Sequence, residues 1–156
     1  MAKQTRRGLL KNAAQAAIAA GGVLTAQQAS AQTGEHALVK KDATGKSQTQ
    51  FPFTSVVSLG NLLFVSGIGC RVPGTIEEST NWVLDELEKN LAASGSSLEK
   101  VLKVNLFMEN IKEFDRMNAV YKKRKWGTVF PARNTTQPAA LPTGDYGLVI
   151  DCIAYV

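Results

Sequence analysis

The chain has 156 residues, of which 44% are hydrophobic, and its 18 Lys and Arg against 13 Asp and Glu give a net charge of +5. Four of the 18 basic residues lie in the first 31 positions, which contain no acid, so residues 32–156 hold 14 basic against 13 acidic side chains, a net charge of +1. This near-neutral remainder has the size of one compact domain, which argues against several domains, and it lacks the charge excess typical of nucleic-acid binding.

The first 31 residues have the three-part pattern of a twin-arginine export signal. Thr5–Lys11 places two arginines before apolar residues and a lysine, Ala13–Ala26 is weakly apolar, and Ala29–Ala31 is a small-x-small cleavage pattern. This predicts that residues 1–31 are removed, and that residues 32–156 form a periplasmic or otherwise exported domain without a membrane anchor. An alanine-rich N-terminal helix of the domain is the alternative.

Histidine and cysteine are scarce in this chain. His36 is the only histidine and lies near the start of the domain, so histidine-dependent nucleophilic mechanisms are set aside and no metal site is expected. Cys70 and Cys152 each lie in or beside an apolar strand-like segment, where a free cysteine often serves as a small buried hydrophobe. A disulfide between them in an oxidising compartment is the alternative.

Short strands are the first elements predicted in the domain. Ala37–Lys40 is a strand candidate, and the polar segment Lys41–Gln50 is typical of turns. The apolar, β-branched segments Thr54–Ser58 and Asn61–Ser66 flank Leu59–Gly60, which predicts a hairpin with a tight glycine turn.

Capping residues and hydrophobic spacing predict two helices. Thr75 and Glu78 have capping-box spacing at the start of the first helix, and Gly95 ends it. Its buried stripe comprises Ile76, Val83, Leu84, Leu87 and Leu91. Asn110 caps the second helix and Gly127 ends it. The second stripe comprises Ile111, Phe114, Met117 and Tyr121.

Three further strands complete the predicted order β-β-β-α-β-α-β-β. They are Val101–Glu109, which alternates apolar and polar residues, Val129–Gln137 and Gly147–Val156. This order predicts an α+β sandwich, one sheet with both helices packed on one face. The other face would be partly apolar and uncovered, so we expect an oligomer in which sister subunits bury it.

Arg133 is the strongest candidate for a functional side chain. It follows Phe130-Pro131-Ala132 in a predicted strand, without an acid nearby in sequence, and arginine suits bidentate binding of a carboxylate. Taken alone, the segment favours a surface arginine or a structural ion pair over a binding residue.

Six short motifs in the segment Lys40–Val156 resemble those of the RidA/YjgF family in order and spacing. They are Leu59-Gly60-Asn61, Val65-Ser66-Gly67, Asn118-Ala119-Val120-Tyr121, Phe130-Pro131-Ala132-Arg133, Leu141-Pro142 and Ile153-Ala154. The resemblance implies a chorismate-mutase-like fold and homotrimers, whose sheets line a central barrel and whose ligand clefts lie between subunits. It also implies hydrolysis of reactive 2-imino or 2-enamino acids to 2-keto acids and ammonia, without cofactor or metal.

The resemblance also implies roles for individual residues. Arg133 would bind the substrate carboxylate, Ser66 and Gly67 would line the cleft, Asn118 would complete the pocket, and backbone groups near Thr135 would hold a water molecule.

Five positions depart from the family pattern, and two of them, Asn134 and Thr136 near Arg133, stand where apolar or small residues are more usual. Phe53 replaces a cleft tyrosine, Thr135 stands where cysteine is common, and Val149 replaces a glutamate that orients or activates water. Asp151, two residues beyond Val149, points to the same face of its strand and is the candidate replacement. The predicted site therefore has Arg133 and Asp151 as catalytic residues and Phe53, Ser66, Gly67, Asn118, Arg133 and Thr135 as substrate-binding residues.

Two functions fit these residues. One is an imine or enamine deaminase. The other, favoured by the lost hydroxyl and glutamate, is a trimer that binds small carboxylates without turnover, or a hydrolase with a different small substrate. The basic run Lys122–Lys125 is typical of a solvated helix end, so no nucleic-acid partner is expected. Trp82 and Trp126 are interpreted as packing residues.

Overall fold

The computed structural model describes residues 39–45, 52–142 and 144–156. The predicted export signal of residues 1–31, His36 and the first two residues of the predicted strand Ala37–Lys40 lie outside the described residues. Within the described ranges, no helix has both the length and the apolar character needed to cross a membrane.

The elements follow the predicted order β-β-β-α-β-α-β-β. The strands are β1 (Lys41–Asp42), β2 (Val56–Leu59), β3 (Leu62–Cys70), β4 (Val101–Met108), β5 (Ala132–Thr136) and β6 (Tyr146–Tyr155). The helices are α1 (Ile76–Ala93) and α2 (Phe114–Tyr121), and single 3₁₀ turns at Leu98–Lys100 and Ile111–Glu113 precede β4 and α2.

The strands form one sheet with the order β1-β2-β3-β6-β4-β5. Neighbouring strands are antiparallel except β4 and β5, which are parallel because α2 carries the chain across the sheet between them. α1 packs on β3, β6 and α2, so the helices share one face of the sheet. The predicted α+β sandwich is confirmed.

The first hairpin forms where the glycine turn predicts it. Leu59 pairs with Leu62 across a two-residue turn, in which Gly60 has a φ of +59°. The strand predicted before it begins later than expected. Lys41 is its first paired residue and lies opposite Ser58, whereas Lys40 has no strand pairing.

The capping box of α1 is confirmed. The Glu78 backbone N–H donates to the Thr75 hydroxyl at 3.3 Å, and the Thr75 N–H donates to the Glu78 carboxylate at 2.8 Å. The helix ends at Ala93, followed by Gly95 with a φ of +78°. The whole predicted stripe is buried, namely Ile76, Val83, Leu84, Leu87 and Leu91.

The predicted bounds of α2 were wrong at both ends. Asn110 caps a 3₁₀ turn, where its side chain accepts a backbone N–H at 3.1 Å, and Ile111 is 40% exposed rather than part of the buried stripe. The helix ends at Tyr121, whose carbonyl accepts a hydrogen bond from the Trp126 indole N–H at 2.8 Å. The Lys123 and Arg124 N–H groups also donate to the Val120 and Tyr121 carbonyls, at 3.1 Å and 3.3 Å, which tightens the last turn, and Gly127 lies beyond it in the link to β5.

β5 is shorter than the predicted segment Val129–Gln137. Pro131 has no N–H to donate to a neighbouring strand, so the strand begins at Ala132. Val129 and Phe130, ahead of it, are 78% and 57% exposed.

In the part of the chain that the structure describes, helices cover one of the two faces of the sheet and not the other. Core residues fill the helix face, among them Leu63, Leu84, Leu87, Leu91, Leu106, Met117 and Ile150. The opposite face, called here the open face, carries Phe64 at 40% exposure beside the half-buried Val57 and Ile153. This face is therefore partly apolar and lacks a covering element among the described residues.

Cys70 and Cys152 are both buried and free. Burial raises the pKa of the Cys152 thiol to about 12, and the charge of Asp151 adds to the rise. The interpretation of both residues as small buried hydrophobes is confirmed.

Candidate functional site

Arg133 is the second residue of β5, and its side chain faces the helices. It pairs in register with Val104, a fully buried core residue of β4, and paired residues of a sheet share a face. Its guanidinium carbon lies 4.7 Å from the ring centroid of Tyr121 and 5.5 Å from that of Phe114, both in α2. The arginine is thus held against two aromatic rings.

Arg133 has no salt bridge to an acidic side chain in the described part of the chain. The structural ion pair considered from the sequence is therefore not formed there. A half-buried cation without a counter-ion is costly unless an anion from solution joins it. The rings contact the guanidinium as cation–π partners, which leaves its N–H groups for a carboxylate.

A pocket of ≈ 230 Å³ adjoins the guanidinium. It is lined by Asn118, Tyr121, Lys122, Phe130, Pro131 and Arg133. The structure therefore brings together Arg133 and Asn118, as the sequence predicted. Pockets for drug-sized ligands measure about 300–1,000 Å³, so this smaller one suits a small metabolite.

Tyr121 borders the pocket, although the sequence assigned it only to the buried stripe of α2. Phe114, Asn118 and Tyr121 are spaced i, i+4 and i+7, so they lie on one face of the helix, and this spacing was the available signal. Burial raises the pKa of the Tyr121 hydroxyl, and Arg133 opposes the rise through its charge and its proximity to the hydroxyl, although the two groups do not have hydrogen-bond geometry. The hydroxyl therefore stays protonated at neutral pH.

The residues predicted for the cleft wall lie outside the Arg133 pocket. The Ser66 hydroxyl donates to the Thr54 carbonyl at 2.7 Å, and Gly67 is exposed in an irregular stretch of β3. A Cβ placed on Gly67 would lie 3.1 Å from Cγ1 of Val149, so the valine lies against the glycine. Phe53 is 50% exposed.

Asp151 projects from the open face, away from the Arg133 side chain. It pairs in register with Asn105, whose Nδ2 donates to its Oδ1 at 2.8 Å. Val149 faces the same side, as the alternation predicted, whereas Thr135 is half-buried on the Arg133 side. The two predicted catalytic residues therefore do not meet within one copy of the chain.

The basic run Lys122–Lys125 is partly engaged in structure. Arg124 Nη1 donates to Asp85 at 2.6 Å and its Nη2 to Asn81 at 2.9 Å, which ties the turn after α2 to α1. Across residues 39–45, 52–142 and 144–156, no group of three or more His, Cys, Asp or Glu side chains is arranged to hold a metal ion.

Sequence comparisons relate the chain to proteins of known families. The family model described as Endoribonuclease L-PSP matches residues 43–156. Protein mmf2, mitochondrial, of Schizosaccharomyces pombe is 40% identical over 110 residues, which cover 66% of this chain and 86% of that protein. The 2-iminobutanoate/2-iminopropanoate deaminase of Dermatophagoides farinae is 33% identical over 98 residues, which cover 58% of this chain and 76% of that protein.

Solved structures show the same fold. The crystal structure of yeast Mmf1 has a TM-score of 0.63 at 31% identity, and the match covers 67% of this chain and 86% of that one. The crystal structure of E. coli TdcF with bound serine has a TM-score of 0.63 at 26% identity, and the match covers 68% of this chain and 89% of that one.

Proposed function

This chain belongs to the RidA/YjgF family, whose model carries the description Endoribonuclease L-PSP, and on that premise we propose that it hydrolyses reactive 2-imino and 2-enamino acids. The products would be 2-keto acids and ammonia. A relative that is 33% identical bears the name of such a deaminase, and the related TdcF structure holds serine, a small amino acid with a carboxylate. No cofactor enters the proposed reaction.

The observation that carries the proposal is the Arg133 guanidinium beside a small pocket, without an acid partner in the described residues. In the proposed reaction, Arg133 binds the substrate carboxylate and backbone groups near Thr135 hold water. On the imine tautomer, the water oxygen adds to the carbon and one water proton moves to the nitrogen, which gives a carbinolamine. Its hydroxyl proton then passes to the nitrogen as the C–N bond breaks, and the products are the 2-keto acid and ammonia. Because imines hydrolyse unaided, orientation of the reactants is a sufficient source of acceleration.

We propose that the cleft is completed between subunits of a homotrimer. Arg133 and Asp151 project from opposite sides of one sheet, so one subunit does not assemble both on one ligand. The partly apolar open face supports association, because uncovered apolar surface of this kind marks an interface. The proposed division assigns Asn118, Arg133 and Thr135 to one subunit, and Phe53, Ser66, Gly67 and Asp151 to the next.

An assay with imino acids made in situ tests the reaction. An amino-acid oxidase supplies the imine, and the loss of imine is followed with and without the purified protein. We expect acceleration by the wild type and none by Arg133→Ala, whereas Arg116→Ala, which alters an exposed arginine with its own ion pairs, retains the full rate. A wild type that adds nothing to the spontaneous rate would contradict the proposal.

A second candidate is a trimer that binds small carboxylates without turnover, or that acts on a different small substrate. Phe53 and Val149 favour it, because these positions lack the hydroxyl and the carboxylate that the family resemblance implies. A thermal-shift screen of keto acids and aromatic acids distinguishes the candidates. Stabilisation that needs Arg133 and occurs without ammonia release would support binding alone.

We also propose that residues 1–31 direct export and that the functional domain begins at residue 32. The Arg6-Arg7 pair within Thr5–Lys11 supports this. Cell fractionation of the full chain tests it. We expect a processed form starting at Gln32 outside the cytoplasm, and retention of the precursor when Arg6 and Arg7 are both changed to lysine.

A further inference from the structure

Four side chains form a series of ring contacts next to the pocket. The rings of Trp126 and Tyr121 stack with centroids 4.4 Å apart and planes 24° apart. The Arg133 guanidinium lies 4.7 Å from the Tyr121 centroid and 5.5 Å from that of Phe114. The series Trp126, Tyr121, Arg133 and Phe114 is called here the aromatic clamp.

Trp126 anchors the clamp in the interior. It is 2% exposed, its indole N–H donates to the Tyr121 carbonyl at 2.8 Å, and its backbone N–H donates to the Arg124 carbonyl at 3.0 Å. Rotation of the indole would leave a buried donor without a partner. Tyr121, 3% exposed at the end of α2, is therefore fixed both by the helix and by the ring stacked on it.

The clamp orders the Arg133 side chain without using its N–H groups. A long arginine side chain loses rotamer freedom when it binds a ligand, and that loss weakens binding. An acid partner would fix the side chain but would also occupy the N–H groups that a carboxylate needs. Aromatic rings fix it through its flat face instead, because cation–π contact does not use the N–H groups.

We propose that Phe114, Tyr121 and Trp126 are positioning residues that hold Arg133 ready for a carboxylate. This rests on the proposed role of Arg133 in binding the substrate. The Tyr121 ring makes the contact, Trp126 supports that ring from behind, and the Tyr121 hydroxyl is not required. The ring of Tyr121 and its hydroxyl therefore have different roles, and we expect different results from two substitutions at this one position.

Calorimetric titration of the full chain with 2-oxobutanoate tests the clamp. Because Tyr121→Leu removes the cation–π contact that orders Arg133, we expect it to raise Kd about tenfold, which corresponds to about 1.4 kcal/mol. Tyr121→Phe keeps the ring and should bind within about twofold of wild type. Trp82→Leu, at a half-buried tryptophan that does not line the pocket, is the matched control and should leave Kd unchanged. In the imine assay, the Tyr121→Leu effect should fall mainly on KM, with Tyr121→Phe restoring it.

NMR of the Arg133 side chain gives a readout that does not depend on catalysis. The Nε–H signal, assigned by its loss in Arg133→Lys, should exchange slowly with water in wild type and Tyr121→Phe, and rapidly in Tyr121→Leu. If Tyr121→Leu does not fold by circular dichroism, Trp126→Phe replaces it and should show an intermediate exchange rate.

Equal Kd and equal Nε–H exchange in Tyr121→Leu and Tyr121→Phe would overturn the clamp, even if Arg133→Ala abolishes binding. If Arg133→Ala binds 2-oxobutanoate as tightly as wild type, the carboxylate role is overturned, and with it the purpose of the clamp.

Discussion

Gly147 combines a left-handed backbone with a close neighbour. Its φ is +73°, and a Cβ added there would lie 2.8 Å from the Cβ and Oγ of Ser79, which is 1% exposed in α1. Its N–H and carbonyl both bond to Glu109, at 2.9 Å each, so the backbone is held on both sides. Only glycine fits this junction between α1 and β6 without displacing the helix.

We therefore expect Gly147→Ala to lower the free energy of unfolding by about 2–4 kcal/mol, from backbone strain plus overpacking. Gly45→Ala is the control, because Gly45 has a φ of +66° with nothing within 4 Å of an added Cβ. Its cost should be about 1 kcal/mol, from strain alone. Urea unfolding at one protein concentration measures both, and equal losses would show that the Ser79 contact is unimportant.

Some of the site residues could be predicted from the sequence, and the side of the sheet on which Arg133 lies could not. Arg133 and Asn118 were identified through short motifs, and the structure brings them to one pocket. The alternation along β6 correctly put Asp151 and Val149 on one face. The pairing of β4 with β5 places the Arg133 side chain on the opposite face of the sheet. Register between strands cannot be predicted from the spacing of residues within one strand.

The two helices explain why one element was predicted well and the other poorly. The start of α1 depends on neighbours three residues apart, Thr75 and Glu78, so local sequence contains the whole signal. At the end of α2, the Trp126 indole folds back and donates to the Tyr121 carbonyl. That bond forms only after the chain reverses direction, so the local sequence does not predict it. Gly127, further along the chain, predicted a helix end that is too late.

The start of α1 should respond to acid. Hydrogen bonds from the Thr75 backbone N–H and hydroxyl lower the pKa of Glu78 below its ordinary 4.5 in the folded protein. Ionised Glu78 therefore stabilises the fold fully above about pH 4.5, and this contribution is lost as the pH falls through the lower folded pKa. The difference in unfolding free energy between wild type and Glu78→Ala should be largest near pH 6 and shrink towards pH 3.

Glu78→Gln is the companion variant for that measurement. Glutamine can make the same reciprocal bond to the helix start but does not titrate. Its unfolding free energy relative to Glu78→Ala should stay constant over the same pH range. A wild-type difference that also stays constant would show that Glu78 contributes nothing through its charge.

In the proposed trimer, the open face would carry both the contact between subunits and part of the cleft. Phe64 is 40% exposed there and pairs in register with Val57 and Ile153, so the centre of this face is an apolar strip. The same face carries Asp151 with its bond from Asn105. If subunits meet through it, burying the strip and completing the cleft are one event, and a subunit alone would keep the Arg133 half of the site but lack the half that carries Asp151.

Phe64→Lys should therefore give folded monomers, because a charge on the apolar strip cannot be buried without a partner. Light scattering after size-exclusion chromatography measures the mass, and we expect a trimer for wild type and a monomer for the variant. Ile111→Lys is the control, because Ile111 is equally exposed at 40% but lies in the turn before α2. The monomer should lose imine hydrolysis while its Arg133 Nε–H stays protected, since the aromatic clamp lies within one subunit. A monomer that keeps full activity would show that the site needs no neighbour.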